Sequence, residues 1–148
     1  MHSEILKPVV ALIAWSLVML FWLIAVRMPA LRKAGIDITK VTGSRPGGLD
    51  GLLDEKAQWP AHNYIHLMEQ PTLFYAVALV LVLALTGQGD GLNATIAWAY
   101  VGLRVLHSLV QALSNRIIVR FAVFWLATLA LIALTLHASM GLWGWSFH

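Results

Sequence analysis

Hydrophobic residues in this chain are gathered into four long runs, separated by polar, glycine-rich or basic stretches. The runs cover about residues 8–26, 62–86, 93–113 and 118–137. Each is close to the roughly 20 apolar residues that an α-helix needs to cross the hydrocarbon core of a bilayer. The pattern therefore predicts an all-α fold, a four-helix transmembrane bundle that forms one domain over residues 1–148.

The distribution of basic residues predicts how this bundle is oriented. Lys7 alone precedes the first run, whereas the stretch 27–60 contains Arg27, Arg32, Lys33, Lys40, Arg45 and Lys56. The positive-inside rule places such a stretch in the cytoplasm, as a loop between the first two helices. Both termini are then expected on the non-cytoplasmic side, with Trp143 and Trp145 as an interfacial anchor after the fourth helix.

Composition supports a membrane environment and excludes several classes of protein. Apolar residues make up 59% of the chain and charged residues only 11%, well below the roughly 25% of soluble domains. The absence of cysteine excludes disulfides, thiolate metal ligands and a cysteine nucleophile, so any thiol chemistry must use a bound thiol. Basic residues flank the runs without forming a basic stripe, and nucleic acid is therefore not an expected partner.

Polar residues inside the predicted helices indicate where function lies, because an ionisable side chain there costs at least ~2.5–3.5 kcal/mol. They are His62, Asn63, His66 and Glu69 on the second helix, Arg104, His107 and Gln111 on the third, and Arg116 and Arg120 at the start of the fourth. Helical spacing places most of them on one face of each helix. We expect a cation-rich chamber that opens to the cytoplasm, binds a small anion and pairs Glu69 with Arg104.

Structural interpretations of the same residues remain open. A Glu69–Arg104 pair could serve only to fix helix register, and Arg116 could serve only the positive-inside rule. His66 and His107 are interpreted as hydrogen-bonding core histidines, so no metal site is predicted, and a haem or metal protein that uses them is the weaker alternative. Pro71 is expected to kink the second helix, with polar neighbours satisfying the freed backbone groups.

Two sequence blocks resemble the MAPEG superfamily, the membrane-associated proteins of eicosanoid and glutathione metabolism, and its bacterial members in particular. The blocks are His62–Tyr75 and Leu103–Ser108, and the likeness continues through Asn115-Arg116 and Arg120-Phe121. This resemblance implies a homotrimer in a bacterial inner membrane, with glutathione bound between neighbouring subunits on the cytoplasmic side. It also implies a glutathione-dependent transferase or peroxidase acting on a lipophilic small molecule that arrives through the membrane lipids.

The resemblance further implies roles for individual residues. Arg120 falls on the arginine that stabilises the glutathione thiolate, and Arg116 matches a second arginine beside it. The residues expected to bind and orient glutathione are His62, Asn63, His66, Glu69, Arg104, His107, Gln111 and Arg116. Three of these depart from the family pattern: His62 replaces an arginine, His66 an asparagine and Gln111 a tyrosine. The departures favour a second class of function, a non-catalytic accessory or structural subunit of a larger membrane complex.

Overall fold

Helices account for most of the described residues in the computed structural model, which covers residues 3–42, 48, 51–84 and 88–144. They are α1 (Leu6–Lys33), α2 (Glu55–Glu69), α3 (Pro71–Leu83), α4 (Leu92–Leu113) and α5 (Ile117–Trp143). Because α2 and α3 follow each other as one interrupted segment, the described residues contain four segments that are long and apolar enough to cross a membrane. No strand occurs in the described ranges. The predicted all-α, four-helix fold is therefore confirmed.

The first helix is longer than its hydrophobic run. It was expected to end near residue 26 but continues through Arg27 to Lys33, so its 28 residues extend about 42 Å, beyond the ~30 Å of a hydrocarbon core. Arginine and lysine are good helix formers, and they interact favourably with the carboxyl-terminal end of the helix dipole. The hydrophobic run thus marks the membrane crossing, whereas the helix itself continues into the segment predicted as loop.

The second membrane segment is interrupted at Gln70, immediately before Pro71. Proline has no backbone N–H and its ring crowds the preceding turn, so regular helical hydrogen bonding cannot continue there. Polar groups gather around the break: the Thr72 hydroxyl donates to the Glu69 carbonyl oxygen at 2.6 Å, and Arg104 donates to the His66 carbonyl oxygen. The helix is thus interrupted at the predicted position, and hydroxyl and guanidinium donors bond to the Glu69 and His66 carbonyl oxygens beside the break.

The fourth helix, α4, organises the interior because it packs against α1, α2 and α5. Its buried residues are partly polar, and they include Tyr100, Arg104, His107, Ser108 and Gln111. Farther along the bundle the core is apolar, with the Tyr100 ring stacked on Phe74 at a centroid distance of 4.6 Å. The outer faces are hydrophobic, since Phe21 on α1 and Leu83 on α3 remain 67% and 79% exposed. An apolar exterior around a partly polar interior suits a lipid environment.

The two ends of the bundle differ in charge. The basic end is where α1 and α4 finish and where α2 and α5 begin. At the opposite end, α1 is tied to the turn before α4: the Ile5 N–H donates to the Gly89 carbonyl oxygen at 2.9 Å, and the Glu4 N–H to the Asp90 carboxylate at 2.6 Å. Two residues used to predict orientation, Arg45 in the long loop and Trp145 near the C-terminus, lie outside the described residues.

Candidate functional site

Arg104 lies at the centre of the polar interior, with only 1% of its surface exposed. Its Nη2 donates to the backbone carbonyl oxygen of His66 at 2.7 Å, and its Nη1 lies 3.4 Å from Oε1 of Gln70. Its Nε is buried and has no hydrogen-bond partner in the described part of the chain. A buried guanidinium is therefore held by a peptide carbonyl and a neutral amide.

Glu69 does not form the expected ion pair with Arg104. Its Oε2 lies 3.1 Å from Nδ1 of His66, on its own helix, and the Glu69 and His66 side chains are 60% and 40% exposed. The expectation of a Glu69–Arg104 pair is wrong because α2 directs Glu69 outward. The His66 carbonyl, which lies on the inward side of the same turn, contacts Arg104 instead.

Gln70 connects three helical segments, a role that the sequence interpretation missed. Its Nε2 donates to the Thr128 hydroxyl of α5 at 2.9 Å, and its Oε1 lies 3.5 Å from the Tyr100 hydroxyl and 3.4 Å from Nη1 of Arg104. Two signals were present in the sequence. Gln70 is a polar residue directly before Pro71, and Tyr100 lies one helical turn before Arg104, on the same face. Gln70, at the helix break, thus contacts the buried Arg104 and links it to α5.

His107 is 4% exposed and lies beside His66, with ring centroids 6.0 Å apart and planes at 82°. Arg104, His66 and Arg120 all interact with it electrostatically, so it lies where the inner and outer polar residues meet. Among the described residues, no group of three or more His, Asp or Glu could hold a metal ion. Of the two histidines named for a haem or metal site, His66 contacts Glu69.

Asn63, Ser108 and Gln111 add unpaired polar atoms to the interior, and their exposed fractions are 0%, 0% and 2%. Both amide atoms of Asn63, the Ser108 hydroxyl and Oε1 of Gln111 lack a hydrogen-bond partner in the described ranges. The contact of Arg104 with the His66 carbonyl joins α4 to α2, the helix that carries Asn63. Asn63, Ser108 and Gln111 all face the interior of the bundle.

The start of α5 carries the two remaining candidates. Nη1 of Arg120 donates to Oδ1 of Asn115 at 2.5 Å, and its Nε is buried without a partner among the described residues. Asn115 has a φ of 50°, a left-handed conformation that asparagine tolerates, in the short turn between α4 and α5. Arg116 is exposed at the first turn of α5. The turn geometry therefore positions Arg120 and leaves Arg116 free to meet a ligand at the surface.

The predicted site residues consequently form two sets. The inner set is buried and consists of Asn63, Arg104, His107 and Gln111. The outer set is exposed or half-buried and consists of His62, His66, Glu69, Arg116 and Arg120. The outer set is accessible from the surface of the chain, whereas the inner set is buried beneath it.

Comparisons with known proteins agree with the helical architecture. A family model described as the MAPEG family matches residues 5–140, which is nearly the whole chain. No curated protein and no solved structure matches this sequence. The match extends beyond the two blocks on which the resemblance was first based, since it includes α1 and the long loop as well as the later helices.

Proposed function

This chain belongs to the MAPEG family, and on that premise we propose that it is a membrane enzyme that uses glutathione to modify or reduce a lipophilic substrate. The observation that carries the proposal is the placement of Arg120. Its guanidinium is oriented by Asn115, its Nε has no partner among the described residues, and the exposed Arg116 lies one turn away. Two cations of this kind suit an anionic thiol ligand.

The chemistry assigned to Arg120 is stabilisation of a thiolate. A fixed cation beside the glutathione sulfur lowers the pKa of the thiol and increases its ionised fraction at neutral pH. In a transferase reaction, the sulfur then bonds to an electrophilic carbon while that carbon's leaving group departs with its electron pair. In a peroxidase reaction, the thiolate sulfur bonds to the terminal oxygen of the hydroperoxide, the O–O bond breaks and the alcohol leaves. A second glutathione then attacks the resulting sulfenic acid, which gives the disulfide and releases water. Arg120 remains charged throughout both reactions.

The other outer residues fit the remaining groups of glutathione. Glu69 presents an exposed carboxylate that can accept hydrogen bonds from an ammonium group, and Arg116 can hold a carboxylate. The charged residues of one chain would contact only one side of the tripeptide. The proposal therefore includes a homotrimer in which a neighbouring subunit completes the site. It also includes an orientation with the basic end toward the cytoplasm of a bacterial inner membrane, as the positive-inside rule indicates.

A second candidate function is supported by the inner set. Asn63, Arg104 and Gln111 face the interior, and Arg104 contacts the protein's own backbone and the Gln70 amide. Those contacts suit a scaffold whose polar residues maintain the fold. A non-catalytic subunit of a larger membrane complex would retain this arrangement and would need no thiolate at Arg120.

The experiment that separates the two candidate functions compares thiol ionisation and turnover between the purified wild-type protein and its variants. Thiolate absorbance of bound glutathione is titrated, and turnover is measured with a halogenated aromatic electrophile and with a fatty-acid hydroperoxide. Arg120→Ala is expected to raise the thiol pKa and to lower kcat by about 10²–10³, the usual effect of removing one charge-stabilising donor. Arg32→Ala, at the exposed end of α1, is the matched control. Equal thiol ionisation and turnover in the two variants would contradict the role of Arg120.

A further inference from the structure

A polar cavity lies at the opposite end of the bundle, away from Arg104 and Arg120. It has a volume of about 420 Å³ and opens between the turn before α4 and the last turns of α5. The residues used below are Gln88, Asp90, Leu92, Asn93, His137 and Met140, all of which line it. No residue proposed to bind glutathione is among them.

A hydrogen-bond relay fixes the proton position on His137. Nδ2 of Asn93 donates to the backbone carbonyl oxygen of Gln88 at 2.7 Å, and because a carbonyl can only accept, this contact defines the orientation of the Asn93 amide. Its Oδ1 then accepts from Nδ1 of His137 at 2.5 Å. In the neutral imidazole the proton is therefore on Nδ1, and Nε2 is left as a hydrogen-bond acceptor. Asn93 is 4% exposed, so the relay is built into the fold.

Asp90 makes the cavity acidic. Its Oδ1 accepts from the Glu4 N–H at 2.6 Å and lies 3.4 Å from the Ser3 hydroxyl, so the carboxylate is held at the cavity wall. None of the described residues that line the cavity is a lysine or an arginine. The groups offered to a ligand are thus a carboxylate and an imidazole acceptor, which together select a cation that carries N–H donors.

The remaining wall is apolar. Leu92 is 65% exposed and Met140 is half-buried, and both lie where α4 and α5 reach the end of their membrane-spanning segments. A hydrocarbon chain attached to the cation could follow these side chains into the lipid. The volume of the cavity is also larger than a bare metal ion needs, since a single water occupies about 30 Å³ in the liquid.

We propose that this cavity is an amine site, which binds a primary ammonium group attached to an apolar chain through Asp90 and His137. The ammonium donates to the Asp90 carboxylate and to Nε2 of His137, while the chain contacts Leu92 and Met140. The amine could be a free lipophilic amine or the headgroup of an aminophospholipid, because both present the same N–H donors. The proposal is independent of glutathione and of Arg120.

The first test is calorimetric titration of the purified protein in phosphatidylcholine nanodiscs, with empty nanodiscs subtracted. The probes are octylammonium, octyltrimethylammonium, which has the charge but no N–H donor, and octanol, which has no charge. We expect saturable binding of octylammonium that is at least ten-fold tighter than binding of the other two. Equal affinity for the three probes, or no saturable binding of octylammonium, would overturn the proposal.

Two variants test the residues that recognise the amine. Asp90→Asn keeps the oxygen that accepts from Glu4 but removes the charge, and His137→Asn keeps a donor toward Asn93 but removes Nε2. Each is expected to weaken octylammonium binding at least ten-fold, whereas Glu4→Gln, an exposed acidic residue at the same end that does not line the cavity, should leave it unchanged. Unchanged affinity in both cavity variants would refute the site.

The source of the amine is distinguished by changing the lipid. If an aminophospholipid occupies the site, nanodiscs that contain phosphatidylethanolamine should weaken the apparent affinity for octylammonium in the wild-type protein but have no such effect in Asp90→Asn. If a free amine is the ligand, the affinity should be the same in both lipids. In either case, the Glu4→Gln variant should respond to the lipid as the wild type does, and a lipid effect that persists in Asp90→Asn would contradict the site.

Discussion

Arg104 donates a hydrogen bond from Nη2 to the backbone carbonyl oxygen of His66 at 2.7 Å, which joins α4 to the last turn of α2. The contact lies directly before the helix break at Pro71, and Gln70 adds a second, longer contact from its side chain. A buried charge needs compensating dipoles when no counter-ion is present. Arg104 therefore acts as a clamp on the interrupted segment, and the carboxylate of Glu69 remains at the surface, in contact with His66.

Arg104→Lys should destabilise the protein although it preserves the charge. A lysine ammonium cannot bridge the His66 carbonyl and the Gln70 amide as the planar guanidinium does, and a buried polar group left without a partner costs roughly 1–3 kcal/mol. Thermal unfolding in detergent should show a lower midpoint for Arg104→Lys. Arg32→Lys, on the exposed end of α1, is the control, and equal midpoints for the two variants would contradict the clamp.

Glu69→Gln should leave stability nearly unchanged. The His66–Glu69 contact is between exposed side chains on one helix, and pairs of that kind contribute only about 0–1 kcal/mol. A counter-ion of the buried Arg104 would behave differently, because its removal would leave an unpaired charge in the interior. The same unfolding measurement decides between a surface contact and a buried ion pair. A large loss of stability in Glu69→Gln would contradict the structure and indicate an ion pair between Glu69 and Arg104.

Gly89→Ala should loosen the attachment of α1 to the turn before α4. A Cβ atom at position 89 would lie 1.9 Å from the Ser3 hydroxyl oxygen and 3.1 Å from both Ser3 Cβ and a methyl carbon of Ile5. We expect a loss of about 1 kcal/mol, typical of a single destabilising substitution, in chemical unfolding. The Ser3→Gly, Gly89→Ala double variant should recover part of that loss. Gly102→Ala is the control, because nothing lies within 4 Å of its added Cβ; an equal loss there would contradict the local explanation.

Asn63→Leu should not destabilise the bundle. Both amide atoms of Asn63 are buried without a partner in the part of the chain that the structure describes, and leucine has the same number and branching of side-chain heavy atoms. Replacing an unpaired buried polar group by an apolar one of similar volume is neutral or stabilising, because the desolvation cost is removed. A thermal midpoint that stays equal or rises would agree with this explanation. A clear fall would show that the amide is paired in the assembled protein.

The membrane architecture could be predicted from the sequence because hydropathy is summed over about 20 residues. A single polar residue within such a run therefore does not change the prediction. The end of α1 could not, because Arg27 ends the hydrophobic run without ending the helix, which continues to Lys33. Residues 27–33 therefore belong to α1, although the hydropathy pattern places them in the loop.

Individual contacts at the site were less predictable than the polar faces that form it. Helical spacing grouped His62, His66 and Glu69 correctly, but it did not reveal that this face points outward while Asn63 is buried. The partner of Arg104 was hidden for another reason. Every residue has a backbone carbonyl, so the pattern of side chains along the sequence cannot show that Arg104 contacts the carbonyl of His66.

Glutathione binding tests the central claim most directly. Calorimetric titration of the detergent-purified protein with glutathione should show saturable binding, and Arg120→Ala should weaken it while Arg32→Ala does not. That result would support an enzyme in which Arg120 holds the thiolate. No binding at millimolar glutathione to folded wild-type protein would contradict the account and favour the accessory subunit.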